Sequence, residues 1–196
     1  MTPKFIFIVA CFAVALLSYF FCNSKKDWAW LTAGLMFTVG ADYFLVLNNN
    51  HLPGVAVFCF AHVCYILRGL DASARAKKIA LLAVPFVALF VFFAYRNDRL
   101  LLLAGTYAAL FLVNIGVNTW HFWQKNTPLP KLNKALVLAG LILFVLCDIN
   151  VALFNMPREF GTPVVFPWAF RLIWVFYLPS QLLLAVSGIA FPKAKE

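Results

Sequence analysis

Residues 31–47, LTAGLMFTVGADYFLVL, form an apolar run of the kind that crosses a membrane as a helix, yet the run contains the carboxylate of Asp42. An Asp inside such a helix costs about 2.5–3.5 kcal/mol on insertion scales. Residues 136–154, LVLAGLILFVLCDINVALF, repeat this pattern around Asp148. Because a helix that only anchors a protein does not need such a residue, we predict that both carboxylates face one cavity within the membrane.

The composition of the chain is that of an integral membrane protein. Its 196 residues are 64% hydrophobic and 12% charged, whereas soluble domains are about 45–50% apolar and about 25% charged. Apolar runs recur along nearly the whole length, so we predict one transmembrane domain over residues 1–196. The net charge of +9 comes mainly from loops, where basic residues set the topology. We therefore expect no nucleic-acid partner.

The apolar runs predict an all-α, polytopic membrane helix bundle. Each run has about the length that a helix needs to cross roughly 30 Å of hydrocarbon. The first run lacks a small-residue cleavage site and is therefore interpreted as a helix, not a signal peptide. The seven predicted transmembrane helices are Phe5–Cys22, Trp28–Leu47, Leu52–Arg68, Ile79–Tyr95, Leu100–Trp123, Ala135–Phe154 and Pro167–Ala190.

The basic residues of the loops predict the orientation of this bundle. Most of them fall in one set of alternate loops, and cytoplasmic loops are the ones enriched in Lys and Arg. We therefore place the N-terminus outside and the C-terminus in the cytoplasm of a bacterial inner membrane. In this orientation Asp42 and Asp148 lie roughly 8–9 Å below the outer ends of their helices, with Arg171 at a comparable depth.

Other polar side chains within the predicted helices are candidates for contacting a substrate. Asn114 and Asn118 lie four positions apart and share a helical face, as do Tyr177 and Gln181. Such pairs also suit hydrogen bonds between helices, and a lone histidine is commonly a core residue. The predicted substrate-binding residues are His62, Tyr65, Asn114, Asn118, Asn150, Arg171, Tyr177 and Gln181.

The cysteines indicate neither a metal site nor a disulfide framework. All five lie in or at the ends of apolar runs, and no two of them have CxxC spacing. Buried free cysteines behave as small apolar residues. We therefore expect them to pack within the bundle, and we predict no metal and no other cofactor.

Several motifs together resemble the lysoplasmalogenase (YhhN-like) family of multi-spanning membrane hydrolases. Residues 40–42, GAD, are similar to a Gly-Asp motif of that family, and residues 54–65 match its G-x3-F-x3-H-x2-Y pattern. Residues 140–148 resemble its G-x3-F-x2-Ser-Asp motif, and residues 177–181 its closing Tyr/Gln helix. The order and spacing agree over about residues 37–185.

The chain departs from the family pattern in three respects. Ala41 separates Gly40 from Asp42, and Cys147 replaces the usual serine. Family members typically have eight spans, whereas the hydropathy of this chain predicts seven. None of these differences removes a carboxylate, although they bear on whether the substrate preference is the same.

The resemblance implies hydrolysis of the vinyl ether bond of a lysoplasmalogen, a lysophospholipid, to a fatty aldehyde and a glycerophospho-alcohol. Such a bond is cleaved by protonation of its β-carbon, which creates an oxocarbenium-like cation that water then attacks. Two carboxyl groups in a low-dielectric pocket tend to hold one proton between them, which supplies an acid and a base. The sequence leaves open which Asp is the acid. The more apolar surroundings of Asp42 favour it as the acid, and the nearby donors Asn150 and Asn155 favour Asp148 as the base.

Two other functions compete with this hydrolase. One is a zinc-dependent seven-span lipid amidase using His62, His121, Asp42 and Asp148, but His121 falls at the opposite end of its helix and zinc needs convergent ligands. The other is a transporter or receptor-like protein in which the Asp pair binds a proton or cation. Paired discontinuous helices would favour a transporter, and Pro179 is the one break of that kind in the sequence.

Overall fold

A computed structural model describes residues 2–70, 99–125, 127, 129–159 and 166–191. Within these ranges the chain is helical and contains no strand, which confirms the all-α prediction. The six described helices are α1 (Pro3–Leu17), α2 (Lys25–Asp42), α3 (His51–Gly69), α4 (Arg99–Trp123), α5 (Lys131–Glu159) and α6 (Pro167–Val186).

Six described segments are long and apolar enough to cross a membrane, and they match six of the seven predicted spans. The remaining predicted span, Ile79–Tyr95, lies outside the described residues. The chain is thus an integral membrane protein with a polytopic helical bundle. The number of spans in the whole chain, their orientation and the membrane that contains them stay predictions.

The described helices pack in chain order around a ring. Helix α1 contacts both α2 and α6, and each of the other helices contacts the one before it and the one after it. The most extensive contacts are those of α2 with α3 and of α5 with α6. Tyr65, Phe144 and Leu184 are among the largest fully buried side chains inside this ring. Polar residues that face the same interior are thereby brought together from distant parts of the sequence.

Helix α2 changes its geometry directly after Asp42. Residues 43–47 form a π-helical turn, in which Asn48 N–H donates to the Tyr43 carbonyl at 3.3 Å. The turn into α3 then uses Asn49 with a positive φ of 50°, a conformation that Asn tolerates better than most residues. Short π-helical segments recur at functional sites because they redirect side chains. Asp42 is therefore the last residue of the regular α2 helix.

Gly34 permits the close packing of α2 on α3. A Cβ atom at this position would lie 2.5 Å from Cε1 of Tyr65, and the Tyr65 ring is fully enclosed at 1% exposure. We expect Gly34→Ala to lower the free energy of unfolding by about 1–3 kcal/mol, because overpacking displaces a ring that has no free space. Reversible unfolding in mixed micelles measures this change.

Gly116→Ala is the matched control for that substitution. Gly116 is an exposed residue of α4, and a Cβ atom there would meet nothing within 4 Å. The same change should therefore be neutral or stabilising by up to about 1 kcal/mol, since Ala has the higher helix propensity. Equal losses of stability at both positions would show that the Tyr65 contact is not the cause.

A buried ion pair ties together the helix ends opposite the Asp42 end of α2. Arg68, near the end of α3, donates from Nε and Nη2 to the two carboxylate oxygens of Asp27 at 2.8 and 2.9 Å. Its Nη1 donates to Ser187 Oγ at 2.8 Å. Asn133, at the start of α5, donates to the Ser187 carbonyl at 2.9 Å. This network joins α2, α3 and α5 to the chain just beyond α6, and it is distinct from the predicted site.

Candidate active site

Asp42 is enclosed between α2 and α6. Its side chain is only 3% exposed, and its Oδ2 accepts a hydrogen bond from the Tyr177 hydroxyl at 2.6 Å. The two residues lie 135 positions apart in the sequence. A carboxyl group enclosed in this way is costly unless a donor compensates it, and Tyr177 supplies that donor.

Asp148 has the same kind of partner on a different helix. The Tyr107 hydroxyl of α4 donates to Asp148 Oδ2 at 2.6 Å. Asp148 differs from Asp42 in being only partly buried. The two carboxylates therefore form two Asp–Tyr pairs with matching hydrogen-bond geometry but different accessibility.

An aromatic cluster connects the two Asp–Tyr pairs. The Tyr177 ring lies 5.5 Å from the ring of Phe144, and Phe144 lies 5.5 Å from the imidazole of His62. The His62 ring in turn lies 5.0 Å from that of Tyr107. These centroid distances are typical of packed aromatic pairs. Both carboxylates are thus held by tyrosines that belong to one cluster, which we call the central aromatic cluster.

Cys147 lies beside one of the carboxylates. It directly precedes Asp148 on α5 and is 3% exposed. This residue stands where the related motif has a serine. A thiol is a much weaker hydrogen-bond donor than a hydroxyl, so in this chain the two tyrosines are the donors that hold the carboxylates.

A chain of polar side chains lies beside the central aromatic cluster. His62 and Asn114 are both 0% exposed, and the Asn114 amide nitrogen lies 3.0 Å from Nδ1 of His62. Asn118, one turn further along α4, donates to Asn114 Oδ1 at 2.7 Å. These hydrogen bonds join α3 to α4 within the bundle. Hydrogen bonding between helices is one of the two roles that the sequence suggested for the asparagines.

The other predicted substrate-binding residues occupy different environments. Tyr65 packs against α2 and Gln181 is fully buried on α6, with its Nε2 3.4 Å from Ser180 Oγ. Arg171 is exposed in the first turns of α6. Asn150 is buried, and its amide nitrogen donates to the Leu146 carbonyl of its own helix at 2.7 Å. Whether any of these residues contacts a substrate stays a prediction.

One of the two reasons that favoured Asp148 as the base and Asp42 as the acid, the donors Asn150 and Asn155, is not found in the structure. Asn150 and Asn155 both donate to backbone carbonyls four residues earlier in α5, at 2.7 and 3.0 Å. Asn side chains in helices commonly satisfy their own backbone in this way. The observed donor to Asp148 is Tyr107. Any assignment of acid and base must therefore come from burial, not from the asparagines.

Tyr107 is the site residue that the sequence analysis missed. It shares a face of α4 with Phe111, Asn114 and Asn118, since positions i, i+4, i+7 and i+11 align on a helix. That alignment with the two predicted asparagines was the available signal. It identifies the inward face of α4, although it does not identify Asp148 as the partner.

The described residues contain no group of three or more His, Cys, Asp or Glu side chains able to hold a metal ion. His121, which the zinc hypothesis requires, lies 14 positions after Tyr107 on α4, which corresponds to about 21 Å along the helix. It is buried near the far end of that helix. The His and Asp residues proposed as zinc ligands are therefore not brought together.

Comparison with known proteins gives one match. The model of the YhhN family matches residues 4–188, a range that includes both Asp–Tyr pairs and the central aromatic cluster. No curated protein and no solved structure matches the chain.

Proposed function

We propose, from the premise that the chain belongs to the YhhN family, that it hydrolyses the vinyl ether bond of lysoplasmalogens. The family includes lysoplasmalogenases. The observation that carries the proposal is the pair of tyrosine-bound carboxyl groups, Asp42 and Asp148, on one aromatic cluster inside the bundle. The products would be a fatty aldehyde and a glycerophospho-alcohol, with one water consumed.

The first step would use a carboxylic acid as the proton donor. Asp42, the more enclosed of the two groups, is suited to hold a proton because burial disfavours a charged carboxylate. It would transfer that proton to the β-carbon of the vinyl ether, and the electron pair of the double bond would form the new C–H bond. The adjacent ether oxygen then shares the positive charge, which the Asp148 carboxylate would stabilise.

The second step would use Asp148 as the base. This residue is more exposed than Asp42, which makes its carboxylate the better suited of the two to receive a water molecule. Asp148 would take a proton from that water as the oxygen bonds to the cationic carbon, which produces a hemiacetal. The C–O bond to glycerol then breaks, the proton held by Asp148 passes to the departing oxygen, and the hemiacetal hydroxyl proton returns to Asp42. This cycle restores both groups.

A cationic side chain packs on the aromatic residues beside Tyr177. Lys4, near the start of α1, has its ammonium 3.9 Å from the ring centroid of Trp174 and 4.8 Å from that of Phe170. The Trp174 ring packs on that of Tyr177 at 6.0 Å, and Tyr177 binds Asp42. A cation held on aromatic faces is therefore linked through Trp174 and Tyr177 to one carboxylate, and it would suit the phosphate of a lysophospholipid.

The experiment that tests the proposal is aldehyde release from a lysoplasmenyl lipid by the purified protein in detergent. A saturated alkyl-ether lysolipid serves as the control, since it lacks the double bond that accepts the proton. Release from the vinyl ether lipid alone is the expected result. If no aldehyde appears and the protein instead moves protons or cations across liposomes, the transporter function replaces the hydrolase.

Tyr177→Phe and Tyr107→Phe test the role of the two hydroxyl donors. Each change removes one hydrogen bond of 2.6 Å and keeps the ring in the aromatic cluster. In the proposed mechanism Asp148 is charged before it accepts a proton, and Asp42 becomes charged as it gives its proton up. Because a hydrogen bond to a charged group contributes about 1.5–3 kcal/mol, we expect kcat to fall roughly 10–100-fold, with a smaller change in KM. Steady-state kinetics on folded protein measures this. Phe60→Tyr, at an exposed position of α3, is a control for changing one hydroxyl group elsewhere and should leave kcat unchanged.

A further inference from the structure

His62 is a fully buried imidazole with one ring nitrogen bonded and the other without a partner. Its exposure is 0%. Nδ1 lies 3.0 Å from the Asn114 amide nitrogen, whereas Nε2 has no hydrogen-bond partner among the described residues. An unsatisfied buried polar atom costs about 1–3 kcal/mol, so such an atom inside a candidate site needs an explanation.

The orientation of the neighbouring amides determines which nitrogen of His62 carries the proton. Asn118 Nδ2 lies 3.0 Å from the backbone carbonyl of Asn114 and 3.5 Å from that of Tyr65. Carbonyl oxygens can only accept, so the nitrogen of the Asn118 amide must point toward them. The same Nδ2 is 2.7 Å from Asn114 Oδ1, which is therefore an acceptor, and the Asn114 amide cannot be turned around.

The amide nitrogen of Asn114 consequently donates to His62. Since Nδ1 accepts this hydrogen bond, it carries no proton, and the proton of a neutral imidazole must be on Nε2. The relay from Asn118 through Asn114 thus sets one tautomer. His62 presents an N–H donor at Nε2, and it presents that donor within the central aromatic cluster.

Among the described residues, none accepts a hydrogen bond from this donor. The His62 ring packs on Phe111 at 4.4 Å, on Tyr107 at 5.0 Å and on Phe144 at 5.5 Å. The one hydroxyl among these three rings, that of Tyr107, donates to Asp148, and its oxygen makes no hydrogen bond with Nε2 of His62. A neutral donor in an apolar setting suits a neutral oxygen, whereas a phosphate suits the cationic side chains at the ends of α1 and α6.

We propose that the Nε2–H group of His62 binds a neutral oxygen of the substrate glycerol, a hydroxyl or ether oxygen, and so positions the reactive linkage between Asp42 and Asp148. The identity of this ligand rests on the proposed hydrolase function. The tautomer itself rests only on the four hydrogen bonds made by Asn114 and Asn118. In this role His62 is a positioning donor, and it does not accept a proton during the reaction.

Nuclear magnetic resonance of protein labelled with ¹⁵N-histidine tests the tautomer without any turnover. The chain has 3 histidines, so the His62 signals are assigned by their loss in His62→Gln. We expect an unprotonated, pyridine-type Nδ1 and a protonated, pyrrole-type Nε2 in wild type. We expect the reverse in Asn114→Asp, because the new carboxylate accepts a hydrogen bond from a protonated Nδ1. A protonated Nδ1 in wild type overturns the proposal.

The same spectra test the ligand. Adding the saturated alkyl-ether lysolipid, which has the glycerol oxygens but no vinyl group, should shift the Nε2 signal as the donor becomes hydrogen-bonded. An unchanged signal at saturating lipid, which is also the result if only an internal water binds there, overturns the proposal. If the signal moves but the vinyl ether lipid yields no aldehyde, the oxygen site stands and the proposed reaction is wrong.

A matched pair of variants separates the effect of the Nε2–H donor from that of the hydrogen bond between Nδ1 and Asn114. In His62→Gln the amide nitrogen occupies the place of Nε2, and in His62→Asn the amide occupies the place of Nδ1. We expect His62→Gln to keep KM within about threefold of wild type while losing the Asn114 contact. His62→Asn should keep that contact and raise KM roughly tenfold or more, as the loss of one buried hydrogen bond predicts. A larger rise in KM for His62→Gln than for His62→Asn would contradict the proposal.

Discussion

Replacing either carboxylate of the candidate site with an amide should nearly abolish aldehyde release. For Asp42→Asn and Asp148→Asn we expect kcat to fall about 10²–10⁴-fold, the usual contribution of general acid or base catalysis. An amide can accept the tyrosine hydrogen bond at its oxygen, so the fold should persist, but it can neither transfer a proton to carbon nor stabilise a cation by charge. Kinetics with the lysoplasmenyl lipid, normalised to folded protein, measures the loss.

Asp27→Asn is the matched control, because it makes the same chemical change at a buried carboxylate outside the site. Asp27 lies at the beginning of α2, 15 positions before Asp42, which corresponds to about 22 Å along the helix. We expect this variant to be less stable, since Arg68 loses its charged partner, while kcat per folded molecule stays near that of wild type. Near-normal turnover in either Asp42→Asn or Asp148→Asn would rule out the two-carboxylate mechanism.

The described helices were largely predictable from hydropathy, but their ends were not. Helix α5 was predicted over residues 135–154 and extends over Lys131–Glu159, because a helix continues into the polar zone, where an apolar pattern gives no signal. The second span was predicted as one helix that ends at residue 47. Its last five residues are instead a π-helical turn, and this depends on how α2 packs against α3, not on the composition of α2.

The sequence was enough to select both carboxylates of the candidate site, because charge in an apolar helix is costly wherever the helix packs. It could not identify their partners. Tyr107 and Tyr177 are tyrosines among many aromatics, and only the ring of helices shows that one faces Asp148 and the other Asp42. The hydrogen-bond direction that sets the His62 tautomer likewise depends on backbone carbonyls whose positions no residue pattern records.

Breaking the buried ion pair between Arg68 and Asp27 should have the largest effect on stability. Arg68 is 7% exposed, and it donates twice to Asp27 and to the Ser187 side chain. Arg68→Met keeps an apolar stem of similar length but leaves the Asp27 carboxylate buried without its charged partner. We expect the free energy of unfolding to fall by about 3–5 kcal/mol, measured by reversible unfolding in mixed micelles.

The double variant Arg68→Met with Asp27→Leu separates two costs in stability. One is the cost of leaving the Asp27 carboxylate unpaired, and the other is the cost of losing the ion pair. It removes both charges, and Ser187 keeps partners, because its hydroxyl still donates to the Leu184 carbonyl and its own carbonyl still accepts from Asn133. Since apolar replacements of buried ion pairs are often neutral, this variant should recover most of the stability lost in Arg68→Met. If it is as unstable as the single variant, the ion pair itself stabilises the bundle. If Arg68→Met alone costs nothing, the pair is not buried in the membrane-embedded protein as the structure shows it.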